Sequence, residues 1–154
     1  MTLHNDPSRM LFMETNVEST EPLRNAINNT LHQVQLTKKP LGGVVCCVGF
    51  GGPARVLPQQ KPDATHDALK YFDFTMFDRV LAVNLRGLID LIRLTVPHLF
   101  LNEPSGPDGK RGVVVMGSSV AAFEGQVGQL SYKGAVCSIV LPLARELGPR
   151  RGFV

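Results

Sequence analysis

The chain has 154 residues, 44% of them hydrophobic and 19% charged, with a formal net charge of +3. That length supports one domain with its own core, spanning residues 1–154. Basic residues pair only at Lys38-Lys39, Lys110-Arg111 and Arg150-Arg151, which excludes a nucleic-acid stripe. The longest apolar run, Leu88 to Leu101, is broken by Arg93, Pro97 and His98, so no membrane span is expected.

The opening segment, MTLHNDPSRMLFMETNV, has neither the apolar stretch of a secretory signal nor the Arg/Ser-rich character of a transit peptide. With no targeting segment, the expected compartment is the cytoplasm or the mitochondrion. Residues 10–14 (MLFME) read as a short strand. Ser19 or Thr20 then caps a helix whose first turn holds Glu21 and Pro22. Its apolar face is Leu23, Ile27, Leu31 and Val34, and Pro40 with the Gly42-Gly43 pair ends it.

Residues 43–49 (GVVCCVG) form a continuous apolar run between glycines, the pattern of a strand buried on both faces of a parallel sheet. Gly49 to Tyr71 has no period and reads as a long loop. Thr75, three residues before Asp78, resembles a capping box. From there Phe77, Val80, Leu81, Leu85, Leu88, Ile89 and Ile92 run at helical spacing to about Leu101, with a kink expected at Pro97. A turn-rich connector (NEPSGPDGKRG) leads to a second buried strand, 112–116 (GVVVM). The last helix is expected from Tyr132 to Leu147, with Val136, Ile139, Val140 and Leu143 inward, a bend at Pro142 and a stop at Gly148-Pro149. Strands alternating with helices indicate an α/β fold with a parallel sheet.

Three cysteines (Cys46, Cys47, Cys137) make neither a disulfide framework nor a zinc set and read as reduced, buried thiols. The four histidines have no ligand spacing, so no metal site is expected. Ser119, at the carboxyl end of the second strand, stands where open α/β sheets place ligands. It can polarise a substrate carbonyl, or Ser118 and Ser119 can simply cap the next turn. Position alone does not choose between the two. Tyr132 near a helix start can give or take a proton, and Lys133 is a cation beside it.

The order Ser119, Tyr132, Lys133 resembles the catalytic centre of the short-chain dehydrogenase/reductase family, and Asn84-Leu85-Arg86-Gly87 resembles its Asn-x-x-Gly. The stretch Ser119–Gln129, Asn102-Glu103-Pro104 and Leu141–Leu147 are similar to its 3-hydroxyacyl-CoA and hydroxysteroid dehydrogenase branch. The likeness runs from about Phe12 to Arg151. It implies a Rossmann-like, doubly wound parallel sheet and NAD-linked hydride transfer between an alcohol and a ketone. Ser119 would orient the substrate oxygen and Tyr132 would be the general acid/base. Lys133 would support the phenolate and bind the nicotinamide ribose, and Asn84 would hold a water that links the lysine to solvent. Cys47 and Gly49 would lie along the cofactor, and Asn16 and Val17 at the adenine ring. The family also implies a small acyl-CoA or steroid-like substrate and a homo-oligomer formed through helices 75–101 and 132–147.

The departures from the pattern carry expectations of their own. These residues contain no Thr-Gly-x-x-x-Gly-x-Gly turn to seat a pyrophosphate on a helix N-terminus. The family's Asn-x-Ala-Gly stands here as Cys46-Cys47-Val48-Gly49, and Asn16 replaces an aspartate. The expected fold is therefore a partial Rossmann-like domain, lacking the first β-α-β nucleotide-binding unit and the last strands. It would supply strands 3, 4 and 5 of a sheet ordered 3-2-1-4-5-6-7. Strand 43–49 then becomes an exposed edge, with strand 10–14 either docked on it or loosely held. The family's Tyr-x-x-x-Lys is shortened to Tyr132-Lys133. Four residues apart on a helix is an offset of about 40°, whereas one apart is about 100°, so the two side chains diverge. The alternative to an NAD-dependent oxidoreductase is thus an inactive relative, serving as an interaction module or standing as a non-functional gene fragment.

Overall fold

The computed structural model describes residues 10–51, 55–56, 58–72, 74–124 and 127–148, with side chains in the last span from Tyr132 onward. Gly125, Gln126 and Pro149, which the sequence reading also used, lie outside the described residues. The elements in order are α1 (Thr20–Thr37), β1 (Gly43–Cys46), α2 (Phe74–Leu81), α3 (Gly87–Phe100), β2 (Val113–Met116) and α4 (Val127–Leu147). A π-helical stretch, Ala82–Arg86, joins α2 to α3, so the two run as one interrupted helix.

Helix α1 buries Leu23 and Ile27, while Leu31 and Val34 are half-buried. Ser19 stands at its N-cap without a side-chain cap bond. The helix stops before Pro40 and the glycine pair: Lys38 takes a left-handed φ of 54° and its N–H bonds to the Gln35 carbonyl. A lysine therefore fills the position that usually selects glycine. Thr20 Oγ1 donates to Asp90 Oδ2 at 2.7 Å and ties the start of α1 to α3.

Strands β1 and β2 pair in parallel, with Gly43 opposite Val113 and Cys46 opposite Met116. Successive side chains alternate between the two faces. Val44, Cys46, Val114 and Met116 pack with Leu88, Ile92 and Val136 from α3 and α4 to form the core. The opposite face carries Val45, Val113 and Val115, and Val45 is 62% exposed. The expectation of strands buried on both faces is corrected: among the described residues helices cover one face only, and each strand spans four residues. Residues 10–14 form no strand, and Phe12 is 90% exposed. An extended segment with no neighbouring strand has nothing to bond its backbone. The fold is an α/β, partial Rossmann-like arrangement with a two-stranded parallel sheet among the described residues.

Other boundaries moved as well. Helix α2 begins at Phe74, which places Thr75 inside it rather than at the cap. The break in the long helix is the π stretch, and Pro97 lies within α3. Helix α4 starts at Val127, five residues before Tyr132, and Val140 is exposed rather than inward. Cys47 is exposed; only Cys46 is buried. The loop before α2 is closed by the Gln60 amide, which accepts from Lys70 N at 2.9 Å and donates to Lys70 O at 3.0 Å.

Candidate active site

Asn84 lies in the π stretch and is buried. Its Nδ2 donates to the Val80 carbonyl (2.8 Å) and the Phe50 carbonyl (2.9 Å), and its Oδ1 accepts from Phe50 N–H (3.0 Å). One side chain thus reproduces a backbone bridge and pins the exit of β1 to the helix. Isolated π-helical turns are frequent at functional sites, because the extra residue redirects a side chain. Gly49 is needed beside it, since a Cβ there would overlap Asn84 Oδ1.

Lys133 reaches the same point from α4. Its Nζ donates to the Gly117 carbonyl at 3.3 Å, and it stands 3.7 Å from where a Gly49 Cβ would lie. Asn84, Lys133, Gly49 and Gly117 therefore converge at the carboxyl ends of the two strands, the usual ligand crevice of open α/β sheets. Tyr132 is 5% exposed, buried in the molecule. The Lys133 ammonium lies 5.4 Å from the centroid of its ring, within cation–π range. The helix runs through both residues, so they leave its axis about 100° apart.

The serines have local partners. Ser119 Oγ accepts from Ala121 N–H at 3.2 Å and caps the 3-10 turn Val120–Ala122. Ser118 Oγ donates to the Lys133 carbonyl at 3.1 Å and lies 3.2 Å from Cys137 Sγ. Both serines are exposed. At the far end, Asn16 Oδ1 accepts from Glu18 N–H at 2.9 Å and closes a local turn, while Val17 packs against Gly87. Helix α1, which follows, carries Glu21 in its first turn, and its charge opposes a phosphate there. The described residues thus offer the ribose end of a nicotinamide nucleotide one donor, Lys133 Nζ, since both Asn84 amide hydrogens are already given to carbonyls. They do not fit its pyrophosphate.

Cys46 ends β1 in the core, and burial, followed by the neighbouring Cys47 thiol, pushes its pKa up to about 11. Cys47, next in the chain, is exposed at the strand exit. Sequence reasoning missed Phe50, whose backbone Asn84 grips, and Gly117, whose carbonyl holds the lysine. The glycines flanking the two apolar runs were the available signal for such close approach. Two cavities lie away from this crevice. One, of about 490 Å³, runs along α2 and α3. The other, of about 640 Å³, lies at the amino ends of the strands, where Asn102 Nδ2 ties the Leu41 and Arg111 carbonyls together.

A parallel α/β layer with lysine and asparagine at the strand exits is the frame of a nucleotide-dependent dehydrogenase. The sequence profile described as short chain dehydrogenase matches residues 2–152, and the chain belongs to that family. It is similar to mouse 3-hydroxyacyl-CoA dehydrogenase type-2, 35% identical over 145 residues, which is 90% of this chain and 50% of the relative. The human protein of that name is 50% identical over 76 residues, 47% of this chain and 29% of the relative. A crystal structure of 3-hydroxyacyl-CoA dehydrogenase type-2 from Mycobacterium avium superposes with a TM-score of 0.71 at 26% identity, covering 92% of this chain and 51% of that one. A 7α-hydroxysteroid dehydrogenase solved with NADH shares the fold, with a TM-score of 0.65 at 19% identity, over 92% of this chain and 46% of that one. The chain spans about half the length of the curated relatives it matches.

Proposed function

We propose that this site descends from NAD-linked hydride transfer between an alcohol and a ketone of the 3-hydroxyacyl-CoA or hydroxysteroid class. We propose further that the chain as it stands is a silent member of that lineage. The observation that carries this reading is the altered spacing of the pair: Tyr132 and Lys133 stand one residue apart on α4, with the tyrosine 5% exposed. The lysine holds the crevice beside Asn84, while the tyrosine that would pass the proton is buried. Catalytic placement is exacting, since about 1 Å of error can cost on the order of a hundredfold in rate. Removing three helical residues displaces one end of a helix by roughly 4.5 Å and 60°. The lysine alone supplies a hydrogen-bond donor and a positive charge, and neither transfers the required proton at the substrate oxygen.

The test is NADH oxidation with acetoacetyl-CoA as the ketone, together with calorimetric titration of NADH. The expected result is no turnover above buffer and no binding in the micromolar range. Measurable turnover that Tyr132→Phe abolishes would overturn the reading.

A second reading, association with another copy, is favoured by exposed apolar residues on the helices. Ile89 on α3 and Val140 and Leu141 on α4 face solvent although the sequence pattern made Ile89 and Val140 core. The interface would use helices 74–100 and 127–147. No helix among the described residues is long and apolar enough to cross a membrane, so their exposed faces suit a protein partner better than lipid. A small-molecule ligand, acyl-CoA or steroid-like, would enter at the strand exits near Lys133, and nucleic acid finds no basic stripe.

A further inference from the structure

Two of the three basic pairs in the sequence, Lys38-Lys39 and Lys110-Arg111, come to the same end of the fold. Strands β1 and β2 run parallel and in register from Gly43 and Val113, so the residues just before each strand become neighbours. Val113 N–H donates to the Gly42 carbonyl at 3.1 Å, and Asn102 Nδ2 holds the Leu41 and Arg111 carbonyls. The cavity of about 640 Å³ lies beside these contacts, with Pro40, Leu41, Pro104 and Val113 as apolar lining and Lys110 and Arg111 as basic lining. Lys39 precedes Pro40 in the chain and is exposed. A four-residue strand spans roughly 13 Å, so this cavity is separate from the Lys133 crevice at the other end of the strands.

Arg111 is held by only part of its guanidinium. Its Nη1 donates to the Phe100 carbonyl at 3.2 Å and to the Asn102 carbonyl, which closes the end of α3. Its Cζ lies 5.5 Å from the centroid of the Phe100 ring, a cation–π contact that steadies the group. The Nε donor is buried and bonds to nothing among the described residues. Buried donors are almost always paired, so an unpaired one calls for an acceptor. Nε and Nη2 form the edge of a guanidinium that takes two oxygens of one oxyanion side by side. The helix-end carbonyls account for Nη1 and leave that edge unused.

From this we infer that the cavity binds a small organic phosphate, a phosphomonoester with an apolar body. The phosphate oxygens meet the Nε and Nη2 edge of Arg111, with Lys110 and Lys39 adding charge, and the body lies on Leu41, Pro104 and Val113. Two acids stand nearby: Glu103 lines the cavity, and Asp108 Oδ2 lies 3.4 Å from Lys110 Nζ. The Lys110–Asp108 pair is on the surface, where such contacts are weak and yield to a stronger anion. Lys38, Lys39, Lys110 and Arg111 outnumber these acids, which favours a ligand near a charge of about −2, as a phosphomonoester is, over a carboxylate. Nε is closed to solvent, so the ligand seats with a small side-chain adjustment that opens the edge. The site is independent of the reading proposed for the crevice.

The deciding experiment is calorimetric titration of the full 154-residue chain with phenyl phosphate, with circular dichroism to confirm that each variant is folded. Phenyl phosphate is expected to bind in the millimolar range or tighter, and more weakly as salt rises. Benzoate and inorganic phosphate are each expected to bind at least about threefold more weakly, since the first lacks charge and the second lacks the apolar body. Arg111→Lys keeps the charge and loses the paired donors, with an expected fall in affinity of roughly tenfold. That variant also gives up the carbonyls at the end of α3, so Lys110→Glu, on the surface, is the second. It is expected to weaken binding by roughly fivefold or more through charge reversal. No detectable binding of phenyl phosphate at millimolar concentration would overturn the proposal. So would either variant, folded, binding like the unaltered chain, or benzoate binding as tightly as phenyl phosphate. Binding that Lys133→Ala abolishes would place the ligand in the crevice and overturn it as well.

Discussion

Lys133 and Asn84 meet at a single point: the lysine Nζ and the asparagine Oδ1 both fall within 4 Å of the position a Cβ on Gly49 would occupy. One arrives from α4 and the other from the π stretch between α2 and α3, so that point is where three parts of the chain close on the sheet. Its geometry is fixed by close approach rather than by apolar packing, and single atoms added there have outsized effects.

Gly49→Ala is the smallest such change. The added methyl would overlap Asn84 Oδ1, part of a buried side chain with nowhere to swing. Either the Asn84 bonds to Phe50 break or the exit of β1 shifts. We expect a loss of about 1–3 kcal/mol in urea unfolding, the range for overpacking and for an unmade buried hydrogen bond. Gly148→Ala, with open space around the site, serves as the control. Equal effects of the two substitutions would contradict the assignment.

Asn84 allows a sharper comparison. Its Nδ2 donates to two carbonyls, Phe50 and Val80, while its Oδ1 accepts one N–H. Asn84→Asp replaces the donor with an oxygen facing two carbonyl oxygens and buries a charge. Asn84→Ala only removes partners. The aspartate variant should therefore be the less stable of the two at neutral pH, by about 1–3 kcal/mol. It should recover as acid protonates the new carboxyl, because a protonated acid donates one hydrogen bond again. Urea midpoints for both variants at two pH values decide it.

Much of this arrangement could be read from the chain before its structure, and the exceptions share a cause. The apolar face of the long helix and the two Val-rich runs located α2, α3, β1 and β2, because periodicity reports which side is buried. Periodicity does not report how many neighbours a strand has. Val45 and Val113 look like core residues in sequence and are exposed because no element among the described residues covers their face. The run Met10–Glu14 looks like a strand and is none, for want of a partner. The crevice residues Asn84 and Lys133 were legible through resemblance. Their partners Phe50 and Gly117 act through backbone atoms, which leave no mark on side-chain identity.

The relation of Tyr132 to the crevice can be altered directly. Tyr71 is exposed and Tyr132 is buried, and the chain contains two tyrosines. Second-derivative absorbance should therefore report one exposed ring of two. Inserting three alanines between Tyr132 and Lys133 sets the pair four apart, with an offset of about 40°. The expected result is two exposed rings while Lys133 keeps its bond to Gly117. If the spectrum stays at one, the helix has absorbed the insertion elsewhere and the account of Tyr132 fails.

Alkali should expose the remaining stress in the core. The Cys46 thiol is buried beside Cys47, and its pKa rises from 9.0 to about 11 in the folded chain. The unfolded chain then releases this proton earlier than the folded one. Stability attributable to the group is whole below pH 9 and falls as pH rises through the folded value, where the loss reaches at most about 3 kcal/mol. Cys46→Ala removes the titrating group and costs little volume, so it should flatten the stability profile between pH 9 and 11. Cys47 is exposed, so a thiol reagent should modify it much faster than Cys46. Urea unfolding across that pH range, with peptide mapping of the modified thiols, tests both halves. A profile equally steep in Cys46→Ala would assign the alkaline loss to other groups.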